Sequence, residues 1–175
     1  MKRVFDLRMA DGSRHFGDLP ETYDAQAPEW HRLREHVGAL EGAELTGFVT
    51  DDVTEAWIDF RWREHAFSLN NQHGQWWFFV ADPGCPDAQL EAVLDHFERL
   101  LDPAAHHARQ AGPIAAGAFR AVVIEANARV TRKDFGDLES ARQYADDAAS
   151  EAEDGIVLAY VLDEVLRVIH RGRHY

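Results

Sequence analysis

The sequence has little cysteine: Cys85 stands alone among 175 residues. A lone cysteine cannot form an intrachain disulfide, and it cannot supply the several thiolates of a typical structural zinc site. Such sparing use of cysteine is typical of a reducing compartment, so we expect a cytoplasmic protein and take a bacterial source as a working assumption. Cys85 lies in "DPGCPD", a turn before a predicted helix, and no His and Asn pattern nominates a base for it. We therefore do not expect it to act as a nucleophile.

Long hydrophobic runs are also missing. The longest ones, "WWFFVA" and "IVLAYVL", are far shorter than the roughly 20 residues that a helix needs to cross a bilayer. The N-terminal stretch "MKRVFDLRMADGSRH" contains too many charges for the apolar region of a secretory signal. We expect no membrane association.

Positive charge is scarce, because 18 Lys and Arg face 31 Asp and Glu and the formal net charge is −13. Such a charge opposes the phosphate backbone, so nucleic acid is not an expected partner. Residues 1–102 hold 20 acids against 9 Lys and Arg, whereas residues 103–175 hold 11 against 9. The acidity of the first part indicates either a solvated face or a docking surface for a basic protein partner.

Familiar catalytic motifs are absent as well. The chain contains no G-x-x-x-x-G-K-[ST], G-x-G-x-x-G, G-x-S-x-G or H-E-x-x-H. The 10 histidines do not follow metal-ligand spacing: His31 and His36 are five apart on a predicted helix, and His106 and His107 are adjacent. We expect no cofactor and no metal site, and the interpretation leans against an enzyme.

The hydrophobic pattern of residues 1–102 predicts an acidic α+β domain. Alternating apolar residues before Asp11-Gly12 indicate an opening β-hairpin, and residues 45–81 predict an antiparallel β-meander of about four strands packed against helices. In that meander "QWWFFVA" is apolar on both faces, which is typical of a central strand. Asp87 is the expected N-cap of the strongest helix, which ends at Asp102.

Residues 103–117, "PAAHHARQAGPIAAG", show no amphipathic period, so we expect an Ala/Pro/Gly-rich linker. Residues 118–175 then predict a smaller ββαββ unit, in which Asp137 caps the helix. The predicted fold class is therefore α+β, an antiparallel β-meander packed against helices and followed by this unit.

Two similar octapeptides, "RHFGDLPE" at residues 14–21 and "KDFGDLES" at residues 133–140, each follow a predicted hairpin and precede a predicted helix. Their similarity indicates either an internal duplication or two independent helix-start sequences, in which an aromatic residue precedes a capping Asp.

Six residues are candidates for binding a ligand or partner. Trp57 is predicted on the same strand face as Arg61 and Arg63, close to His65 in the following turn. That Trp either anchors a partner or is sealed by the stems of the arginines. The C-terminal "RVIHRGRHY", with Arg171 and Arg173, forms a basic patch that either binds an anion or docks on the acidic part of the chain.

The sequence thus supports two main functional hypotheses. The first is a non-catalytic protein-binding protein, of the immunity or inhibitor type, that covers a basic partner with its acidic part. The alternative is a small-molecule or anion-binding protein, or a small enzyme, with a pocket between the two units. A third hypothesis is self-association into a homo-oligomer through an exposed sheet edge or an apolar patch.

Overall fold

The computed structural model describes residues 4–20, 29–72, 74–125, 128–150 and 158–172. The chain divides into two compact units, a first unit Met1–Asp102 and a second unit Pro103–Tyr175. Within the described ranges, no helix combines the length and the apolarity that crossing a bilayer requires.

The first unit is built on one antiparallel sheet. Its described elements are β1 (Leu7–Arg8), β2 (Arg14–Pro20), α1 (Glu29–Val37), β3 (Ala43–Thr50), β4 (Ala56–Trp62), β5 (His65–Asn70), β6 (Gln75–Val80) and α2 (Asp87–Leu101). The strands pair in the order β1-β2-β6-β5-β4-β3, so β3 to β6 form the predicted meander and the opening hairpin joins it beside β6. The α+β prediction is confirmed.

The period-two pattern of the sequence decides which side chains are buried. In β4, buried Ile58 and Phe60 alternate with half-buried Trp57 and with exposed Asp59 and Arg61. In the central strand β6 the same alternation buries one set of side chains and leaves the other half-buried; the buried set is Trp76, Phe78 and Val80. Although β6 is apolar on both faces, only one of its faces is fully buried.

The buried face of the sheet packs on α2 through phenylalanine rings. The ring of Phe97 lies 5.7 Å from that of Phe60 and 5.4 Å from that of Phe78, centroid to centroid. Phe60 also stacks on Phe67 at 5.2 Å. Aromatic pairs at these separations contribute about 0.5–1.5 kcal/mol each beyond the burial of their area. This cluster holds the helical layer on one side of the sheet.

Two polar contacts fix α1 on the same side. The indole Nε1 of Trp76 donates to Glu29 Oε2 at 2.9 Å, which ties the start of α1 to the central strand. At the other end of α1, His36 stacks on His96 of α2 with 4.0 Å between ring centroids, and each Nε2 lies within 2.9 Å of the other residue's backbone carbonyl oxygen. A carbonyl oxygen can only accept, so both Nε2 atoms carry a proton.

The predicted N-cap of α2 is wrong. Asp87 is the first residue of the helix, Pro86 occupies the cap position, and no side chain makes a cap hydrogen bond there. The carboxylate of Asp87 instead accepts from Arg14 Nη2 at 2.9 Å, and the Arg14 side chain is 6% exposed. Leaving a buried guanidinium without an anionic partner costs more free energy than leaving a helix end without a side-chain cap. The Asp87 carboxylate therefore pairs with Arg14.

The second unit has its own sheet and core. Its described elements are α3 (Pro103–Gln110), β7 (Phe119–Ile124), β8 (Val130–Phe135), α4 (Leu138–Ser150), β9 (Leu158–Leu162) and β10 (Val168–Arg171). The sheet is antiparallel in the order β10-β9-β7-β8, so it contains the two predicted hairpins, β7–β8 and β9–β10, joined by the pairing of β7 with β9. Asp137 caps α4 as expected, because its carboxylate accepts from the Ser140 N–H at 2.8 Å.

The predicted linker at residues 103–117 contains a packed helix, so that part of the prediction is wrong. Its buried alanines, Ala104, Ala105 and Ala108, lie in α3 and belong to the core of the second unit. Arg120 of β7 donates to the carbonyl oxygens of Ala108 and Gly112, at 2.7 Å each, and closes the helix end onto the sheet. The helical period of this segment is weak in the sequence because its buried residues are alanines, which differ little in hydrophobicity from their polar neighbours.

The two octapeptides adopt different structures, so their likeness does not reflect equivalent structural positions. In the first copy Gly17 and Asp18 lie inside the strand β2, whereas in the second copy Gly136 and Asp137 lie between β8 and α4. A Cβ atom added at Gly17 would lie 2.6 Å from Leu94 Cδ1, but a Cβ added at Gly136 would meet nothing within 4 Å. Only the first glycine is required by packing.

This contrast gives a matched pair of substitutions. Gly17→Ala should lower the free energy of unfolding by roughly 1–3 kcal/mol, because Leu94 is buried and cannot move aside freely. Gly136→Ala should change it by less than about 0.5 kcal/mol, because position 136 is exposed. Urea unfolding of both variants measures the difference, and equal effects would contradict the close approach of β2 and α2.

Candidate functional site

The candidate site lies on the sheet face of the first unit that is opposite α1 and α2, which we call the open face. Strand pairing places its members side by side; they are Val49, Trp57, Asp59, Arg61, Ser68, Asn70, Trp77 and Phe79. These side chains are half-buried or exposed, and Val49 reaches 63% exposure. A sheet face that combines an exposed aliphatic residue with half-buried aromatic and exposed charged groups is a candidate binding surface.

A cleft of about 630 Å³ runs across this face. The turn between β1 and β2 supplies one wall, with Met9, Asp11 and Ser13, while Phe79 supplies part of the apolar lining. Hydrogen-bonding side chains from three strands line the rest, namely Thr46, Ser68 and Asn70 together with the carboxylate of Asp59. Among the described lining residues the charged ones are two acids, and none is Lys, Arg or His.

Asp59 is one of the two charged residues that line the cleft. It lies in β4 directly opposite Ser68 of β5 and Gly47 of β3. A Cβ atom at position 47 would lie 2.8 Å from Asp59 Oδ2, so the glycine leaves the space into which this carboxylate leans. Within the described part of the chain, no cation pairs with Asp59. The carboxylate is therefore available to a ligand.

The second carboxylate, Asp11, is held by its own turn. Its Oδ1 accepts from the backbone N–H of Ser13 at 3.0 Å and from the Ser13 hydroxyl at 2.7 Å. These hydrogen bonds hold the pKa of Asp11 below its usual value, so the group stays ionised through the neutral range. The cleft thus holds two carboxylates, one of which is kept ionised by its own turn.

The floor next to the cleft is stiffened by a buried histidine. His15 is 5% exposed, its ring stacks on Trp77 with 5.0 Å between centroids, and Phe79 lies 5.2 Å away. Its Nε2 lies 2.6 Å from Asp18 Oδ1 across the β-bulge of β2. The pair orients the two rings of β6 that face the open side.

The structure separates the residues that the sequence grouped together. Trp57 and Arg61 do lie on the open face, on either side of Asp59. Trp57 is half-buried, and its cross-strand neighbours are Val49 and Asn70 rather than arginines. Trp57 is therefore not covered by arginine side chains on the neighbouring strands.

The expectation that Arg63 shares the face of Trp57 is wrong. β4 ends at Trp62, and Arg63 turns away with φ of 56°, so its guanidinium lies 4.4 Å from the centroid of the Trp62 ring. His65 begins β5 on the side of Phe67, and its Nδ1 lies 3.2 Å from Asp82 Oδ2. Neither side chain belongs to the open face, because the tight turn between β4 and β5 points both of them in other directions.

The C-terminal candidates lie in the second unit. Arg171 ends β10, and its guanidinium lies 5.8 Å from the centroid of the Tyr160 ring. Arg173 lies outside the described residues.

The sequence did not identify the two acids of the cleft, Asp59 and Asp11, as site residues, nor Gly47, which lies next to Asp59. Asp59 looks like any polar residue of an alternating strand, and Asp11 looks like a turn former. Gly47 did carry a usable signal, because a glycine inside a strand marks a bulge or a close approach. β3 indeed has a bulge between Leu45 and Gly47.

Cys85 is buried, with 2% of its surface exposed. Burial, with the nearby charge of Asp82, raises the pKa of its thiol to about 11. A thiol with this pKa is almost entirely protonated at neutral pH and is a poor nucleophile.

The native protein should therefore react slowly with Ellman's reagent. At pH 8 we expect the Cys85 thiol to react roughly two orders of magnitude more slowly than in denaturant, because folding both raises its pKa and covers it. The release of thionitrobenzoate measures the rate, and Cys85→Ser supplies the blank. Equal rates with and without denaturant would show that the thiol is accessible and reactive.

Comparison of the chain with known proteins found no matching family model, no matching curated protein and no matching solved structure. A functional conclusion therefore has to come from the geometry and charge of the open face.

Proposed function

We propose that this chain is a non-catalytic binding protein whose first unit covers a basic protein partner with its open face. The single observation that carries the proposal is the cleft, in which the charged lining residues Asp11 and Asp59 are both acidic. An unpaired carboxylate that leans into a cleft with an aromatic wall suits a Lys or Arg side chain.

The charge of the whole unit acts in the same direction. Residues 1–102 hold 20 acids against 9 Lys and Arg, which attracts a positively charged protein over a distance of about one Debye length. Such complementarity raises the rate of association and rejects partners of the wrong charge. Salt should therefore weaken binding mainly by slowing association.

Apolar side chains on the same face supply the contact area. Val49 is 63% exposed, and half-buried Trp57 lies directly opposite it on the neighbouring strand. Phe79 lines the cleft itself. Rigid aromatic groups surrounded by polar ones form the energetic centre of many protein interfaces. A partner would therefore be held by its cationic groups at Asp59 and by apolar contact at Trp57.

A protein that occupies a basic surface of its partner blocks whatever that surface binds. The proposed role is accordingly that of an inhibitor or immunity-type protein. We place it in the cytoplasm, which suits a chain with a single cysteine.

Peptide selection provides a test that needs no known partner. Random octapeptides displayed on phage would be selected against the full chain, and the enriched sequences should carry a net positive charge. The Kd of synthetic copies, measured by fluorescence anisotropy, should rise roughly fivefold for Asp59→Asn, equivalent to about 1 kcal/mol. It should also rise as salt is increased.

The matched control is Glu91→Gln. Glu91 is an exposed residue of α2, on the helical side of the first unit, so this variant removes the same charge away from the cleft. It should leave the Kd nearly unchanged. Enrichment of neutral or acidic peptides, or equal effects of the two substitutions, would refute the proposal.

A small organic cation is the second candidate ligand. The cleft volume of about 630 Å³ falls within the range of small-molecule sites, and its acids favour a cation over the anion that the sequence suggested.

Thermal melting separates this candidate from the first. If the cleft takes small cations, polyamines and choline-like compounds at millimolar concentration should raise the Tm of wild type but not that of Asp59→Asn. No shift across such a panel would leave protein binding as the function of the face.

A further inference from the structure

The strand β3 forms one outer edge of the six-stranded sheet. It extends over eight residues, Ala43–Thr50, and within the described residues its strand partner is β4 alone. Leu45 and Val49 on this strand are 42% and 63% exposed. A long exposed edge of this kind is a template to which another strand can add.

The pairing with β4 shows which backbone groups point outward. The Asp51 N–H donates to the Glu55 carbonyl at 3.1 Å, which makes these two residues a hydrogen-bonded pair at the turn. Hydrogen-bonded and non-hydrogen-bonded pairs alternate along an antiparallel ladder. Phe48 and Thr50, and Leu45 beyond the bulge, therefore direct their backbone N–H and C=O groups away from β4.

This edge lacks two common protections. Its sequence, "AELTGFVT", contains neither lysine nor proline, the residues that usually keep edge strands from pairing. It does carry a bulge at Thr46, a residue that lines the cleft, but outward backbone groups lie on both sides of it, at Leu45 and at Phe48 and Thr50. These groups can accept a short added strand.

Gly47 connects the edge to the acidic cleft. Because Asp59 Oδ2 lies 2.8 Å from the place that a Cβ at position 47 would occupy, this carboxylate lies over β3 at Gly47, on the strand that forms the outer edge. A side chain on an added strand opposite Gly47 would stand about 5 Å from β3 and could reach it. Glu44, exposed on the same face one alternation earlier, offers a second carboxylate.

Charge decides which occupant fits. A second copy of this chain would bring another formal charge of −13 and another acidic edge, so edge-to-edge pairing of two copies is opposed electrostatically. A basic segment is attracted by the same charges. The next residue of β3 on the open face after Gly47 is Val49, which is exposed and offers an apolar contact to the bound segment.

We propose that the outer edge of β3 receives an extended basic segment of a partner protein as an added strand. Two basic side chains at alternate positions lie over Glu44 and Asp59, and the next alternate side chain is apolar and packs on Val49. The inference rests on the proposed function and adds to it the conformation and the sequence pattern of the bound segment.

The test compares two substitutions at one exposed position. Leu45→Pro removes an outward N–H and blocks the edge, whereas Leu45→Ala removes a similar amount of side chain and keeps the N–H. With the most enriched synthetic octapeptide as probe, the Kd for Leu45→Pro should be at least about tenfold above that for Leu45→Ala. Circular dichroism checks that both variants are folded.

A second arm leaves the protein unchanged, so it holds even if Leu45→Pro does not fold. The same octapeptide with N-methyl groups on alternate amides, in both registers, is titrated against wild type. One register should lose at least about tenfold in affinity and the other should lose little, because an added strand presents one set of amides to the edge.

The outcomes separate the two claims. The edge inference fails if the Kd for Leu45→Pro equals that for Leu45→Ala and both methylated peptides bind as tightly as the parent peptide. If Asp59→Asn still weakens binding in that case, the cleft binds the peptide and the proposed function stands. If Asp59→Asn has no effect, the proposed function fails as well. Sedimentation that shows a dimer of wild type and a monomer of Leu45→Pro would assign the edge to a second copy and overturn the inference.

Discussion

The packing of Phe97 between Phe60 and Phe78 fixes the architecture of the first unit, since it holds α2 against the sheet. The fit is close enough that β2 needs a glycine at position 17, where Leu94 occupies the space of a side chain. The Trp76 to Glu29 hydrogen bond adds α1 to the same side. Because both helices are used on one face, the strands present their alternate residues to the other face.

The open face therefore exists because both helices pack on the opposite face of the sheet. Strand alternation places Trp57, Asp59 and Arg61 opposite the buried residues of β4. What makes this face more than a solvated surface is local detail: a glycine beside Asp59, a turn that holds Asp11 ionised, and a buried His15 that orients Trp77. Each of these details concentrates acidic or aromatic groups in or beside one cleft.

Much of the fold could be predicted from the sequence because it follows from periods of two and of three to four residues. The alternation in β4, the apolar strand β6 and the cap at Asp137 all express a local rule. The predictions that proved wrong concern segments whose structure depends on a residue far away in the sequence. Asp87 pairs with Arg14, which precedes it by 73 residues, and the helix at 103–110 packs through small alanines and accepts a hydrogen bond from Arg120 at Ala108.

The site was harder to predict than the fold because it depends on which strands become neighbours. Asp59 and Gly47 are unremarkable in the sequence, and their meaning appears only when β3 and β4 pair with a bulge between them. Arg63 and His65 were misplaced for the opposite reason: the sequence makes them neighbours of Trp57, but a turn residue with positive φ sends them elsewhere. Proximity along a chain is a weak guide to proximity on a face.

The most direct test of the account is hydrogen exchange of the full chain with and without a selected basic peptide, followed by mass spectrometry. The account predicts that the peptide slows exchange in segments from β3 and leaves α2 and the second unit unchanged, because an added strand engages outward amides of β3. Protection that appears in α2 and not in β3 would show that the open face and its edge are not where the protein binds.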